Sequence, residues 1–267
     1  MKTLRAVTRL IRFLGALTYY ATPLWVRAAR GPIDWEHHQT VRQRFARSAM
    51  KILGITIELE GQPYRGGACV YASNHRSWLD PFVDLAVVWA FPVAKAEVGK
   101  LPIVAQGARA TGILFVDRGD RSSRVAIMEE MAAALRRGHS LLVYPEGTTS
   151  TETATREFKR GAFVAAEQSG CPLVPMGIAY PSPHYHWGDG ESLWRNFVDV
   201  AGTRRTRVSL YIGAPRIVAD AAGAMAATRT ELDEWILGRR GHVAGVGSGV
   251  PVDELREGES LEVGGRT

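Results

Sequence analysis

A chain of 267 residues, 46% hydrophobic and 22% charged, is long enough for one large α/β domain with appendages and need not contain two domains. Its net charge of +6 is concentrated before residue 66, where eleven Lys and Arg residues face four Asp and Glu residues. This charge favours contact with an anionic membrane, at about 1 kcal/mol per well-placed cation, and a merely solvated basic face is the alternative. Nucleic acid is disfavoured as a partner because the chain has no helix-turn-helix, zinc-finger or RNP-like pattern.

Two N-terminal helices are predicted. The first lies within residues 1–30, and its uncharged apolar part, residues 13–26, falls short of the roughly 20 residues that span a bilayer. Pro23 and two adjoining tyrosines favour a helix at the membrane interface, with a tilted or short span as the alternative. A cleaved signal peptide is disfavoured because Ala28-Ala29 is the only small-residue site and the two cysteines do not suggest export. The second helix covers residues 35–53 and ends at Gly54; its apolar face either packs on the next domain or contacts the membrane. Residues 1–53 are therefore the expected membrane-associating segment.

From residue 55 the pattern alternates between strands and helices, which predicts an α/β fold with a mostly parallel central sheet flanked by helices. Strands are predicted at residues 55–59, 68–72, 93–95, 112–116, 140–144, 172–180 and 207–212. Helices are predicted at 78–91, from 101, at 122–137, up to 169 and at 221–237. The polar stretch 185–201 receives no element. Residues 54–237 form the expected α/β domain, and the glycine-rich residues 238–267 are predicted to be a disordered tail.

No metal site is predicted. Cys69 and Cys171 lie in or beside apolar runs, as core cysteines of a reducing compartment do. Their separation matches no zinc pattern, and the paired histidines at 37–38 and 184–186 lack companion ligands.

Four predicted strands end in polar residues that are candidates for chemistry: His75 with Asp80, Lys95, Arg118, and Glu146-Gly147-Thr148. Parallel strands place their carboxyl ends at one edge of a sheet, so we expect these residues to meet there. An imidazole can accept a proton near neutral pH, and a carboxylate one helical turn away can orient it. A base, an orienting acid, two cations and a glycine loop suit transfer to a hydroxyl on an anionic substrate.

The segment Asn74-His75-x-x-x-x-Asp80 resembles the first motif of the glycerolipid acyltransferase family, which includes 1-acylglycerol-3-phosphate acyltransferases. Three further segments are similar to the family's other motifs and follow in the same order: residues 112–118 (GILFVDR), 144–148 (YPEGT) and 173–176 (LVPM). Four ordered motifs across roughly residues 70–180 are more specific than one His–Asp spacing.

The resemblance implies a role for each candidate residue. His75 would deprotonate the acceptor hydroxyl, and Asp80 would hold the imidazole in one tautomer. The remaining candidates would bind the acceptor: Lys95 and Arg118 at its phosphate, and Glu146, Gly147 and Thr148 beside it. Each residue also has a structural alternative, such as a helix cap, a first-turn acid, a strand-end charge, or an ion pair of Glu146 with Lys159 or Arg160.

Thr149 departs from the family pattern, because many members that form phosphatidic acid carry Glu-Gly-Thr-Arg at this place. The sequence Glu-Gly-Thr-Thr looks more like members that act on lyso-ornithine lipid or lysophospholipids. Arg156, Lys159 and Arg160 are candidates to replace the missing charge.

These observations predict an O-acyltransferase associated with the cytoplasmic face of a membrane. Its donor would be acyl-CoA or acyl carrier protein, no further cofactor is implied, and the leading acceptor is 1-acylglycerol-3-phosphate, with another lyso-lipid as the alternative. A thioester or lipid hydrolase that uses the same His–Asp pair on water is a second hypothesis. A catalytically inactive membrane-binding module is the third.

Overall fold

An eight-stranded sheet forms the centre of the protein in a computed structural model that describes residues 1–95, 113–116, 121–188, 190–239 and 250–251. The strands are β1 Ile55–Glu60, β2 Val70–Ser73, β3 Phe91–Lys95, β4 Leu114–Val116, β5 Leu141–Val143, β6 Leu173–Ala179, β7 Thr206–Ile212 and β8 Val250–Pro251. The helices in these ranges are α1 Lys2–Ala28, α2 Trp35–Leu53, α3 Asp80–Val87, α4 Arg121–Arg136, α5 Gly161–Ser169, α6 Leu193–Gly202 and α7 Ala221–Arg239. A 3-10 turn covers Pro183–Tyr185.

The strands are arranged in the order β4-β3-β5-β2-β6-β7-β1-β8. The first five are mutually parallel, whereas β7 and β1 are parallel to each other and antiparallel to β6, and β8 is antiparallel to β1. The predicted α/β fold with a mostly parallel sheet is therefore confirmed. Because β2, β3, β4 and β5 share one direction, the segments that follow them leave from the same edge of the sheet.

Side chains of the sheet alternate between two hydrophobic cores, one on each face. In β2, Tyr71 joins the core formed with α1, α2, α3 and α6, whereas Val70 and Ala72 join the core formed with α4, α5 and α7. Leu142 and Leu141 of β5 divide in the same way. Strands covered on both faces bury every side chain, which explains their continuous apolar sequence.

Helix α2 has the bounds that the sequence predicts, because both of its ends carry strong local signals. The Asp34 side chain accepts a hydrogen bond from the backbone N–H of His37 at the N-terminus. Gly54 adopts a left-handed conformation, with φ of +72°, at the C-terminus. Phe45 of α2 packs with Phe13 of α1 and Phe82 of α3, so the N-terminal helices are part of the domain's packing.

Four N-terminal arginines bond to carbonyl groups at helix ends. Arg5 and Arg9 donate to carbonyls at and just beyond the C-terminal end of α6. Arg42 and Arg47 do the same for α3. The last carbonyls of a helix lack partners within it and carry partial negative charge, so these bonds stabilise the C-terminal ends of α6 and α3. Part of the N-terminal basic charge is therefore structural.

Several boundaries differ from the predictions. Helix α3 is shorter than predicted because Val88 is already extended, and β3 begins earlier, at Phe91. The stretch 185–201 contains helix α6, whose N-terminus is capped by the Ser192 side chain. Helix α7 continues to Arg239, and Val250–Pro251 pairs with β1. The helix predicted from residue 101 and the rest of the predicted tail lie outside the described residues.

Within the described ranges, none of the helices combines the length and apolarity that crossing a bilayer requires.

Candidate active site

His75 and Asp80 form a hydrogen-bonded pair at the carboxyl edge of the sheet. The imidazole Nδ1 lies 2.7 Å from Asp80 Oδ2. The intervening loop leaves β2 at Asn74, whose side-chain amide bonds to both the N–H and the carbonyl of Ile178 on β6. This side chain extends the β2–β6 pairing and fixes the start of the loop. The His75 side chain is 18% exposed and the Asp80 side chain is fully buried.

Asp80 is surrounded by hydrogen-bond donors. Its Oδ2 accepts from the backbone N–H groups of Arg76 at 2.6 Å and Ser77 at 2.8 Å, in addition to His75. Its Oδ1 accepts from the Tyr180 hydroxyl at 2.6 Å. A carboxylate held by four donors keeps the proton on His75 Nδ1 and leaves the lone pair on Nε2. The pair therefore has the geometry of a general base and its orienting acid.

Glu146 is buried and bonds to the loop that carries His75. Its Oε1 accepts from the backbone N–H of His75 at 2.8 Å, and its Oε2 lies 3.0 Å from Arg76 Nη1. Oε2 also accepts from the backbone N–H of Arg156 at 2.8 Å. The ion-pair partner is thus Arg76 rather than Lys159 or Arg160. These contacts hold the third predicted motif against the first, so a direct contact of Glu146 with an acceptor stays a prediction.

The other predicted binding residues are located less completely. Lys95 is the last residue of β3, and β4 ends two residues before Arg118, whose own position lies outside the described residues, as does the Lys95 side chain. Both strands end at the edge where His75 lies. Gly147 has φ of +75° and donates its N–H to the Tyr144 carbonyl at 2.9 Å, in a turn that favours glycine. Thr148 is half-buried beside it.

The candidates to replace an arginine at position 149 lie on the segment that follows. Thr149 itself is buried, with 8% of its surface exposed. The Arg156 side chain lies 3.5 Å from Glu152, and Lys159 and Arg160 are exposed immediately before α5. A role for any of these cations at the acceptor stays a prediction.

Three residues in direct contact with the pair were missed by the sequence analysis. Tyr180 bonds to Asp80, Tyr144 stacks on His75, and Arg76 donates its backbone N–H to Asp80 while its side chain pairs with Glu146. Tyr144 directly follows β5 and Tyr180 directly follows β6, so both lie at the edge of the sheet that carries His75. That position is the signal that the sequence offered. Their spacing from His75 gave no indication of contact.

A second buried carboxyl group, Asp84, lies one turn beyond Asp80 on α3. It is fully buried, and its Oδ2 accepts from the Tyr144 hydroxyl at 2.8 Å. Burial, followed by the nearby Asp80 charge, raises the pKa of Asp84 well above its ordinary value. Burial likewise raises the pKa of Tyr144 and of Tyr180, so both hydroxyls stay protonated donors.

Replacement of Asp84 by asparagine is expected to change the pH dependence of stability. The folded protein keeps the Asp84 proton that the unfolded chain releases above about pH 3.9. The contribution of Asp84 to the free energy of unfolding therefore declines as pH rises from that value towards the raised folded pKa, by up to about 1.4 kcal/mol per pH unit. The asparagine variant lacks this decline. Urea unfolding of both proteins between pH 5 and 8 measures the effect. A difference in unfolding free energy that does not grow with pH would contradict it.

Comparison with known proteins places the motifs in one family model. Residues 54–179 match the model described as Acyltransferase. The chain is 30% identical over 186 residues to the lyso-ornithine lipid O-acyltransferase of Pseudomonas aeruginosa, covering 67% of this chain and 70% of that protein. A chloroplastic 1-acyl-sn-glycerol-3-phosphate acyltransferase of Brassica napus is 31% identical over 121 residues, 45% of this chain. The match spans only 35% of that plant protein, and 40% of its counterpart in Arabidopsis thaliana.

A solved structure has the same fold. The crystal structure of the 1-acyl-sn-glycerophosphate (LPA) acyltransferase PlsC from Thermotoga maritima superposes with a TM-score of 0.68. The alignment covers 92% of this chain and all of that chain, at 20% sequence identity. The similarity therefore extends beyond the residues matched by the family model.

Proposed function

The chain belongs to the glycerolipid acyltransferase family, and on this premise we propose that it transfers a fatty acyl group from a thioester to the hydroxyl of a lyso-lipid. The donor is acyl-CoA or acyl carrier protein, and the leading acceptor is 1-acylglycerol-3-phosphate, which would give phosphatidic acid. The observation that carries the proposal is the 2.7 Å contact between His75 Nδ1 and Asp80, which directs the basic Nε2 away from the carboxylate.

His75 acts first as a base and then as an acid in this reaction. Nε2 removes the proton of the acceptor hydroxyl as the oxygen attacks the thioester carbonyl carbon. The tetrahedral intermediate collapses with cleavage of the carbon–sulfur bond, and the imidazolium returns the proton to the departing thiolate. An ester and a free thiol are the products, and Asp80 stabilises the transient imidazolium. Because a thiolate leaves readily, the reaction needs no covalent enzyme intermediate.

The acceptor has two candidates that differ in chemistry. 1-Acylglycerol-3-phosphate is supported by the plant relatives, whose names give that substrate. A lyso-ornithine lipid is supported by relatives of comparable identity that are named for that acceptor. It is also supported by Thr149, because a threonine at this place in the third motif supplies no charge to bind an anion. A phosphate group on the acceptor is thus the feature that separates the candidates.

A panel of lyso-lipid acceptors assayed with one acyl thioester tests the function. Acyl transfer and thiol release are measured with lysophosphatidate, lyso-ornithine lipid, a lysophospholipid and no acceptor. We expect thiol release to depend on the acceptor and to match ester formation one to one. Release of thiol at the same rate without an acceptor would instead identify a hydrolase. Absence of both products with every acceptor would support a non-enzymatic membrane protein.

The surface formed by α1 and α6 supports a membrane as the site of action. Leu4, Val7, Ile11 and Leu14 recur at spacings of three and four on α1 and are all exposed, with Leu4 at 73%. Helix α6 packs beside α1 and adds two exposed apolar residues, Leu193 and Trp194. We call these six residues the apolar surface.

Positive charge accompanies the apolar surface. The cations Arg5 and Arg9 bond to α6, but seven other exposed cations lie on or just beyond the two helices: Lys2, Arg12, Arg27, Arg30, Arg195, Arg204 and Arg205. The two helices carry one acid, Asp199. Exposed leucine and tryptophan rimmed by cations match the interface of an anionic bilayer. We therefore propose that α1 and α6 together hold the protein on the membrane that contains its lipid substrate.

A Leu193→Ser, Trp194→Ser double variant is expected to bind anionic vesicles at least tenfold more weakly. Burying two such side chains in the interface contributes more than the roughly 1.4 kcal/mol that a tenfold change requires. Vesicle sedimentation with and without anionic lipid measures the affinity, and Ile217→Ser, which alters an exposed apolar residue elsewhere, is the matched control. Unchanged binding of the double variant would exclude α6 from the membrane contact.

A further inference from the structure

Tyr144 covers one face of the His75 imidazole. The two rings are stacked, with centroids 4.2 Å apart and planes inclined by 18°. Tyr144 directly follows β5 and precedes the turn that carries Glu146. The Tyr144 ring lies against the face of the imidazole, and Asp80 bonds to the imidazole Nδ1. The imidazole is therefore held both at one edge and across one face.

Asp84 holds the other end of the tyrosine. The Tyr144 hydroxyl donates to Asp84 Oδ2 at 2.8 Å, and Asp84 lies within helix α3 with no exposed surface. Its Oδ1 is buried and has no hydrogen-bond partner among the described residues. The general-base chemistry uses neither Asp84 nor Tyr144, so the contact of this buried carboxyl group with the ring stacked on His75 needs another explanation.

We propose that Tyr144 is a positioning residue for His75 and that Asp84 anchors Tyr144 through its hydroxyl. This inference rests on the proposed acyl transfer, in which His75 carries the proton between the two substrates. A ring fixed at one end by a helix and stacked on the imidazole restricts rotation of the base. It thereby keeps Nε2 directed to the place where the acceptor hydroxyl binds.

Burial and the charge of Asp80 favour an uncharged Asp84, against the smaller opposing effects of the Tyr144 and Ser73 hydroxyls. Asp80 lies on the same helix, and Tyr144 approaches from β5. Burial raises the pKa of Asp84, and the neighbouring Asp80 charge adds to this effect. An uncharged carboxyl group accepts the Tyr144 hydrogen bond without placing a second negative charge beside Asp80. The carboxylate character that the mechanism requires then belongs to Asp80 alone.

The stacked ring also lies where it can attract the imidazolium that forms during the reaction. A cation within about 6 Å of an aromatic face is attracted by the ring's quadrupole. His75 becomes a cation only after it has taken the acceptor's proton, so this attraction is stronger in the intermediate than before the reaction. Interactions of that kind raise kcat and leave KM unchanged. Loss of the ring should accordingly reduce kcat without weakening substrate binding.

Two pairs of variants test the inference: Tyr144→Phe with Tyr144→Leu, and Asp84→Asn with Asp84→Leu. Tyr144→Leu is expected to lower kcat ten- to hundredfold with both KM values within twofold of wild type, and Tyr144→Phe to lose less than fivefold because it keeps the stacked ring. Asp84→Asn should retain at least a third of the wild-type kcat, since its amide oxygen accepts the same hydrogen bond. Asp84→Leu should lose three- to fivefold, about as much as Tyr144→Phe, because both remove the same hydrogen bond and keep the ring.

Proton NMR of the His75 ring provides a readout that needs no substrate. A stacked phenol moves the imidazole C–H resonances upfield, and this shift should persist in Tyr144→Phe and disappear in Tyr144→Leu. Equal loss of kcat in Tyr144→Phe and Tyr144→Leu, or equal damage from Asp84→Asn and Asp84→Leu, would overturn the proposal. So would full activity of Tyr144→Leu. If the wild type itself transfers no acyl group, the proposed function fails, whereas the NMR comparison still decides whether Tyr144 orients His75.

Discussion

Replacement of His75 by alanine is expected to lower kcat for acyl transfer about 10²- to 10⁴-fold, the range that a positioned general base contributes. The variant retains the substrate sites but has no group to accept the hydroxyl proton, and Asp80 is too deeply buried to replace it. The effect on stability should be small, because the imidazole is partly exposed and Asp80 keeps its bonds from Arg76, Ser77 and Tyr180. Initial rates with a labelled thioester and the best acceptor of the panel measure the loss.

The matched control for this experiment is His37→Ala. His37 lies in the first turn of α2, two residues after Trp35, which packs on Phe91 at the amino end of β3. The control therefore removes an imidazole from the opposite edge of the sheet, and its kcat should remain within twofold of wild type. Urea unfolding of both variants confirms that they fold. A His75→Ala protein that folds normally and retains wild-type turnover would refute the assignment of His75 as the base.

Local signals allowed most elements to be predicted from the sequence. Helix α2 was bounded correctly because Asp34 and Gly54 are a strong cap and a strong stop. Helix α6 was missed although its apolar residues recur at helical spacing, because it follows a segment rich in glycine and proline that favoured irregular structure. Its formation depends on packing against α1 and on the carbonyl contacts of Arg5 and Arg9. Those contacts join residues nearly two hundred positions apart.

The predicted residues of the site depend on local sequence, whereas the missed residues depend on contacts between distant segments. His75 and Asp80 are five residues apart, so a strand end followed by a helix start was enough to bring them together. Tyr144 and Tyr180 reach the pair from β5 and β6, and only the order and direction of the strands determine that contact. A strand order of β5-β2-β6 places the ends of both neighbours beside the loop after β2. Sequence periodicity predicts strands, but not which strands are neighbours.

The charge of the N-terminal quarter illustrates a similar limit. Composition indicated a basic surface, and exposed cations are found on α1. Arg5, Arg9, Arg42 and Arg47, however, bond to carbonyls at or just beyond helix ends within the domain. A count of charges treats all cations alike, whereas burial and partners decide which of them can meet a lipid headgroup. Surface substitutions therefore test membrane binding better than removal of residues 1–53, which would also expose the core under α2.

An ion pair between Arg76 and Glu146 links the first and third motifs. Both side chains are almost completely buried, at 3% and 0% exposure. Arg76 also donates to the carbonyls of His75 and Ala154, and Glu146 accepts from two backbone N–H groups. A buried pair of this kind adds little net stability compared with apolar residues, but removal of one partner leaves an uncompensated charge in the interior.

Glu146→Gln is therefore expected to lower the free energy of unfolding by about 3–5 kcal/mol. The amide keeps the size of the side chain and one acceptor, but it leaves the buried Arg76 without a counter-charge. Addition of Arg76→Met to this variant removes that charge, so the double variant should be more stable than Glu146→Gln alone although it has lost a further polar group. Urea unfolding of the wild type, both single variants and the double variant gives the coupling energy. Additive losses would show that the ion pair is not the link between the motifs, and the backbone bonds of Glu146 would then account for its burial.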